Sequence, residues 1–580
     1  MLENTERPTS DIEGLAEDPD RIAELAALFA HDLEQRLVEV REREAQREAI
    51  EQWNEQFANV HDNPFHTTGE APLSTFSVDV DTASYTIARR TLVQSHGLPG
   101  PDTIRIEEFI NYFQYDYAAP NVPIGRLDDG VLTSAALARL EAEDESFTPF
   151  ATHVEVTDCP WADGHRLVRI GIKGMEVTFE DRPAAHLTFL LDVSGSMNNA
   201  DKLGLIKDAM VMLLDQLRDD DRVSIVVYAG ATGSVIEGVS AADYEHIRDA
   251  IDGLQSSGGT NGAAGIELAY ELAERYYVPG GVNRVVLCTD GDFNVGISDT
   301  DALVELIQQK ANPDPPIGGG PAPAVYLSAF GVGTGNLNDA MMEKLTNAGN
   351  GNYGYLDGLD EAARALSDQV NGTLVTIAKD VKLQVEFNPA QVAAYRLIGY
   401  ENRILQDEDF NDDTVDAGDI GAGHTVTALY EIVPAAQAAA NAESNTQEAG
   451  DGNRDVDPLR YQRPSVLTDA AELPELLTVA LRFKPVDAAA TQGTSRRIAV
   501  HVPAGRVAFD AASEDTRFAA AVAALGMTLR GSPHRGTADL AWVVATADAA
   551  REHDPHGHRA EFISVAEQAR RIMEPGAAGE

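Results

Sequence analysis

A chain of 580 residues that is 43% hydrophobic has apolar material for several packed domains, and wholesale disorder is excluded. Its 94 acidic residues against 44 basic ones give a net charge of −50, a field that repels nucleic acid and anionic lipid and attracts cations and basic partners. Two cysteines, Cys159 and Cys288, are too few for a disulfide framework, and no apolar run approaches the roughly 18–20 residues of an integral membrane span.

The elements follow in chain order. Asp18 and Pro19 suit a helix N-cap and first turn, and Ile22, Leu25, Phe29, Leu33, Leu37 and Val40 recur at three- and four-residue steps, so residues 1–71 read as a helix and linker. Residues 72–181 form a mixed α+β region. "STFSVDVDTASY" predicts a strand running into a helix start, "DTIRIEEFINYF" a short amphipathic helix, and "THVEVTDC" and "HRLVRIGIKG" alternating strands. From 182 to 372 the rhythm changes: "LTFLLDV", "RVSIVVY", "SVIEG", "RVVLCTD", "AVYLSAFG" and "YGYL" are strands. The helices between them are "DKLGLIKDAMVMLLDQLR", Tyr244–Leu254, Ala263–Tyr276, Thr300–Gln309 and Asp339–Thr346, with one more from Asp360. Near-continuous apolar strands alternating with helices indicate an α/β fold, a doubly wound and mostly parallel sheet covered on both faces. "NPDPPIGGGPAPA" reads as a surface insertion in this block.

Residues 373–510 are strand-rich, with "KDVKLQVEFNP", "VAAYRLIGYEN", "HTVTALYEIVP", "LLTVALRFKP" and "RRIAVHVP" around a polar linker near 434–458. The strand-bearing segments on the two sides of 182–372 each lack enough strands for an obvious separate core. They are expected to pair into one composite β-rich domain with the α/β block inserted in it. Residues 511–580 are helical: Ser513 caps "EDTRFAAAVAALGMTLR", and Asp539–Ala550 and Glu561–Met573 follow. The opening "MLENTERPTSDIEGLAEDPD" lacks the basic start and apolar core of a secretion signal. The expectation is a cytoplasmic protein as written, and an extracytoplasmic or lipid-anchored one given a longer true start.

In an open parallel sheet, binding sites form beyond the carboxyl ends of the strands. "HLTFLLDVSGSM" ends such a strand with Asp192, Ser194 and Ser196. "SSGGTNG" places Thr260 just ahead of a helix, and "CTDGD" ends another strand with Asp290. These five residues offer hydroxyl and carboxylate oxygens with no thiolate or imidazole, a set suited to magnesium or manganese rather than zinc. Two aspartates and three neutral hydroxyls leave such an ion electrophilic, with a replaceable position whose natural occupant is a carboxylate from another molecule.

D-x-S-x-S, the later Thr and the Asp of "TDG" resemble the metal-ion-dependent adhesion site of von Willebrand factor A domains. The segments "STFSVDVDTASY", "RIEEFINYF", "TNGAAGIELAY", "TDGDFNVG" and "VEFNPAQVAAYRLIGYENR" resemble the bacterial YfbK-like family, which has an N-terminal flanking region, a central A domain and a C-terminal region, here "ASEDTRFAAAVAALGMTLR". The resemblance covers roughly Pro72 to the end. It implies a Rossmann-like A-domain sheet in which Ser194 and Ser196 bind metal directly, and Asp192, Thr260 and Asp290 bind directly or through water. It implies no agreed biochemical activity; many similar proteins carry a leader, which is not expected of the sequence as written.

The expected function is non-catalytic: metal-dependent protein binding of adhesion type, with a partner Asp or Glu completing the Mg2+ shell. The alternative is an adaptor for an AAA-type ATPase, as in chelatase-like systems. Hydrolysis fits less well. A nucleophile elbow G-x-S-x-G finds Asp192 where its first glycine belongs, and an aspartyl-phosphate mechanism finds Ser194 where its second acid belongs.

Other motifs are weaker. "GVGTGN" has Asn336 in place of the third glycine of a dinucleotide fingerprint and reads as a tight turn. "DEDFNDDTVDAG" spaces Asp407, Asp409 and Asn411 like a calcium loop, but Asp412 replaces the required glycine and Gly418 the closing glutamate, so it reads as a solvated acidic turn. Asp79 and Asp81 punctuate a strand end. His153, His165, His424 and the "HDPHGH" group share no ligand spacing.

Overall fold

Alternation of buried and covered faces along one short strand organises the central block. In the computed structural model, which describes residues 55–120, 147–259, 262–291, 300–313, 323–335, 337–368, 375–437, 460, 462–463, 466–486 and 495–575, the strand Ala185–Asp192 is buried at every residue. Leu187, Phe189 and Leu191 face a core shared with Ile206, Ala209, Met210 and Leu213 of the helix Leu205–Leu214. Leu190 faces the opposite core, with Ile266, Ala269 and Tyr270 of the helix Gly262–Arg275. A strand apolar on both sides belongs in the middle of a parallel sheet, and that is where it lies. The six-strand order is Tyr353–Leu356, Tyr326–Val332, Val282–Thr289, Ala185–Asp192, Arg222–Tyr228 and Thr232–Ser240; only the last pairing is antiparallel. The Cα framework separates Met1–Glu55 from Gln56–Glu580, and the structure described here is that of the second unit.

The expected helix from Asp201 to Arg218 is shorter in the structure. Ala200–Gly204 winds as a wider π-type turn, with the Gly204 amide reaching the Asn199 carbonyl at 3.4 Å, and regular helix covers only Leu205–Leu214. The early helix of 22–40, the linker near 434–458 beyond residue 437, most of the Pro/Gly insertion, Asn336 and Thr260 lie outside the described residues.

Strands from both sides of the central block interleave, as expected of a composite β-domain. One antiparallel sheet runs His66–Thr67, Val392–Ile398, Thr425–Pro434, Arg166–Gly174, Phe150–Asp158. The other runs Ile404–Leu405, Leu73–Ser77, Thr376–Phe387, Glu475–Pro485, Arg496–Pro503, with Ile420–Gly421 also on Thr376–Phe387. Their facing side chains share a core in which Phe387 stacks on Tyr395 (4.0 Å between centroids) and Phe150 meets Phe483 edge-on at 5.1 Å.

The helices Ala83–Val93 and Ile106–Tyr112 join the C-terminal helices Glu514–Arg530, Leu540–Asp548 and His558–Met573 around Tyr85, Phe109, Phe113, Phe518 and Phe562. Ser513 caps its helix through the Thr516 amide, and Asp539 caps the next through Trp542. Buried ion pairs fasten these flanks to the central block: Arg89 to Asp357 and Glu361, and Arg105 to Asp339. Cys159 and Cys288 are buried free thiols. Among the described residues no helix is long and apolar enough to cross a membrane.

Candidate metal centre

The site lies where the chain reverses its direction of travel across the sheet. After Ala185–Asp192 the next strand is laid on one side and Val282–Thr289 on the other, which opens a crevice at the carboxyl ends. Leu191 stands opposite Cys288, so Asp192 and Asp290 leave the sheet from adjacent strand ends. Both carboxylates are buried, at 0% and 1% exposure.

Asp192 is held from two sides. Its Oδ1 accepts the Ser194 amide at 2.8 Å and its Oδ2 accepts the Thr289 hydroxyl at 3.1 Å, while Thr289 Oγ1 itself accepts the Gly291 amide at 3.1 Å. Burial, reinforced by the charge of Asp290, lifts the Asp192 carboxyl from its ordinary 3.8 to about 6, against the opposing hydrogen bonds of Ser194 and Thr289. Ser194 Oγ and Ser196 Oγ lie 2.9 Å apart, with Ser194 buried and Ser196 partly open. Two further bonds hold the loop: the Gly195 amide to the Gly258 carbonyl (3.0 Å) and the Ser257 amide to the Val193 carbonyl (2.7 Å). These bring the chain just before Thr260 alongside the serine loop. Lys202 Nζ lies 2.9 Å from Asp290 Oδ2.

Of the five residues expected from sequence, four are placed by the structure, and Asp192, Ser194, Ser196 and Asp290 gather at one end of the sheet. Thr260 lies outside the described residues. Sequence reasoning missed Thr289 and Lys202. Thr289 was signalled only by preceding Asp290 in "CTDGD", and Lys202 by nothing in its polar turn.

The donor set fits a small hard cation. Two buried carboxylates stand at adjacent strand ends, the charge of Asp290 adds to the cost of ionising Asp192, a positive group already pairs with Asp290, and neutral hydroxyl oxygens complete the surroundings. Among the described residues no three His, Cys, Asp or Glu side chains gather as a metal cage; the site offers two carboxylates and two serine hydroxyls. A shallow cavity of about 490 Å³ opens beside Met197–Asn199 and Leu254–Ser256. A more enclosed one of about 360 Å³, lined by Asp79, Arg284, Asn352 and Arg403 among others, shares no lining residue with the site.

The competing motifs have partners within the chain. Asp79 and Asp81 pair with Arg403 (3.3 and 2.9 Å), and Asp81 also accepts the Tyr353 amide. In the acidic turn, Asp407 takes the Thr75 hydroxyl, Asp409 the Gln406 amide and Asp412 the Thr414 amide, while the Lys382 ammonium bonds the Asp409 and Asp412 carbonyls. A lysine charge therefore sits against that turn. Gly333 and Gly335 adopt φ of 69° and 97°, the tight turn read from "GVGTGN". His165 bonds Glu431 at 2.6 Å, and His153 the Ala118 carbonyl.

Three family models match the chain. The model described as "von Willebrand factor type A domain" matches residues 187–292, "von Willebrand factor" matches 51–133, and "Uncharacterized protein YfbK, C-terminal" matches 372–572. The Escherichia coli (strain K12) protein "Uncharacterized protein YfbK" is 39% identical over 508 residues, covering 88% of this chain and 80% of that protein. The human inter-alpha-trypsin inhibitor heavy chain H3 is 26% identical over 267 residues, 43% of this chain and 28% of that one. Among solved structures, "von Willebrand factor type A from Catenulispora acidiphila" aligns with 16% identity and a TM-score of 0.38, covering 72% of this chain and 96% of that one.

Proposed function

The chain belongs to the YfbK family, with a von Willebrand factor type A domain and a YfbK C-terminal domain, and from that premise we propose that it is a non-catalytic, metal-dependent protein-binding module. A-type domains are protein-interaction modules that commonly hold a metal at this position, and the geometry supports the finer reading. The carrying observation is the pair of buried carboxylates, Asp192 and Asp290, at adjacent strand ends, beside two serine hydroxyls 2.9 Å apart.

Ser194 and Ser196 would hold a magnesium or manganese ion directly, with Asp192, Thr260 and Asp290 directly or through water. When bound, the ion supplies an electrophilic position that a partner's Asp or Glu carboxylate fills. The chain's own residues prepare that event. Thr289 and the Ser194 amide fix the Asp192 rotamer, the Gly195–Gly258 and Ser257–Val193 backbone bonds set the loop height, and the partly open Ser196 marks the solvent side. The neighbouring hydroxyl of Ser194 is another serine rather than a general base, which supports binding over hydrolysis.

The test is capture of partner from host extract with and without magnesium. Wild-type chain should retain a partner in magnesium and release it in EDTA. Ser194→Ala and Asp290→Ala should fail to capture it while keeping the wild-type circular dichroism. Capture that is unchanged in EDTA overturns the proposal.

A further inference from the structure

Lys202 is the one cation in contact with the candidate centre among the described residues, and the fold builds a seat for it. Its ammonium reaches Asp290 from the π-type turn Ala200–Gly204, and both side chains are almost wholly buried, at 6% and 1% exposure. A lysine sealed in this way needs a carboxylate partner. The aliphatic stem lies against Gly333: a Cβ added there would fall 2.2 Å from Lys202 Cε and 2.6 Å from Cγ, and Gly333 holds a left-handed φ of 69°. Glycine is therefore required at 333 both by backbone conformation and by the passing lysine. The Gly333 carbonyl accepts the Tyr355 hydroxyl at 2.5 Å and the Arg90 guanidinium at 3.4 Å, so the wall behind the stem is fixed by the sheet's edge strand and by the flanking helix Ala83–Val93.

Asp290 is also a carboxylate that the metal reading requires. A magnesium ligand distance is about 2.0–2.1 Å. An ion on Asp290 and an ammonium hydrogen-bonded to the same carboxylate would thus stand within a few ångströms of each other, both positive and out of water, where charges interact strongly.

We propose, resting on the metal-binding reading above, that Lys202 is a built-in counter-cation which competes with the divalent ion for Asp290 and so sets the affinity of the site. An ion that ligates Asp290 directly does so at the expense of the Lys202 pair. The lysine therefore weakens metal binding, and each loading event is felt at the Gly333 turn and the Arg90 helix behind it.

The test is magnesium titration calorimetry on the full chain stripped with EDTA, comparing wild type, Lys202→Met, Lys202→Gln and the Ser194→Ala/Ser196→Ala double variant, each checked by circular dichroism. Met keeps the stem without the charge; Gln keeps a donor to Asp290 and serves if the Met variant does not fold. At least tenfold tighter binding in the neutral variants is expected, with loss of binding in the double alanine variant. Equal or weaker binding in both Lys202 variants, with wild type still binding, overturns the role of Lys202 and leaves the metal site standing. No magnesium uptake by any of the proteins, or equal uptake by the double alanine variant, overturns the metal reading itself.

Discussion

Replacing Asp192 by asparagine separates what the site costs the fold from what it does. The carboxyl is fully buried and its pKa stands at about 6 rather than 3.8. A raised acid pKa means that the stabilising contribution is complete below the unfolded value and is lost as pH rises through 6. At pH 7 the ionised Asp192 therefore costs the metal-free fold about 3 kcal/mol. Asparagine removes that cost with little change of shape. Its Oδ1 still accepts the Ser194 amide, and its Nδ2 faces the Thr289 hydroxyl, which turns from donor to acceptor. Weaker bonds to a neutral group reduce the gain by about 1 kcal/mol. Calorimetric melting in EDTA at pH 7 should then show Asp192→Asn more stable than wild type by about 2 kcal/mol, with the gap narrowing as pH falls from 7 toward 4. In magnesium the order should reverse, because only wild type gains from the ion. A variant that melts at or below wild type in EDTA at pH 7, or a gap that does not change with pH, refutes the reasoning.

Arg105→Met should destabilise the chain by about 3–5 kcal/mol in denaturant titration, since it strands the buried carboxylates of Glu108 and Asp339; the triple change Arg105→Met, Glu108→Gln, Asp339→Asn should recover most of the loss. Gly351→Ala sets a Cβ 1.8 Å from the Leu327 carbonyl oxygen, forcing the backbones apart beside the edge strand, and should cost about 3 kcal/mol by the same measurement. Burial, with the charge of Arg222 adding to it, holds the His186 imidazole down at about 4 against an ordinary 6.5. Its contribution to stability is thus present above pH 6.5 and lost as pH falls toward 4, and nitrogen-edited NMR should show it neutral at pH 5.5.

The parts of this molecule carried by short-range pattern are readable in the chain itself. The strand "LTFLLDV" shows its double burial as an unbroken apolar run, and the polar residues that interrupt it at Asp192, Ser194 and Ser196 mark the carboxyl end where the crevice opens. The pairing of both flanks into common sheets was legible only as a shortage of strands on each side; which strand lies beside which, such as Leu73–Ser77 on Thr376–Phe387, depends on contacts about 300 residues apart that leave no local trace. The same holds for charge. Arg403 pairs with Asp79 and Asp81 from across the fold, and Lys382 bonds the acidic turn of Asp409 and Asp412, so carboxylate spacing alone could not separate those clusters from the candidate metal centre. Lys202 escaped for a related reason: its turn has no periodicity, and its role depends on a π-type winding that aims it back at Asp290.

The central claim concerns where a divalent ion sits, and a crystal of the full chain grown in manganese tests it most directly through the anomalous signal of the metal. One strong peak enclosed by Asp192, Ser194, Ser196 and Asp290, absent from crystals of the Ser194→Ala/Ser196→Ala variant, is the result expected. Crystals that show manganese elsewhere and none between these four side chains would contradict the account.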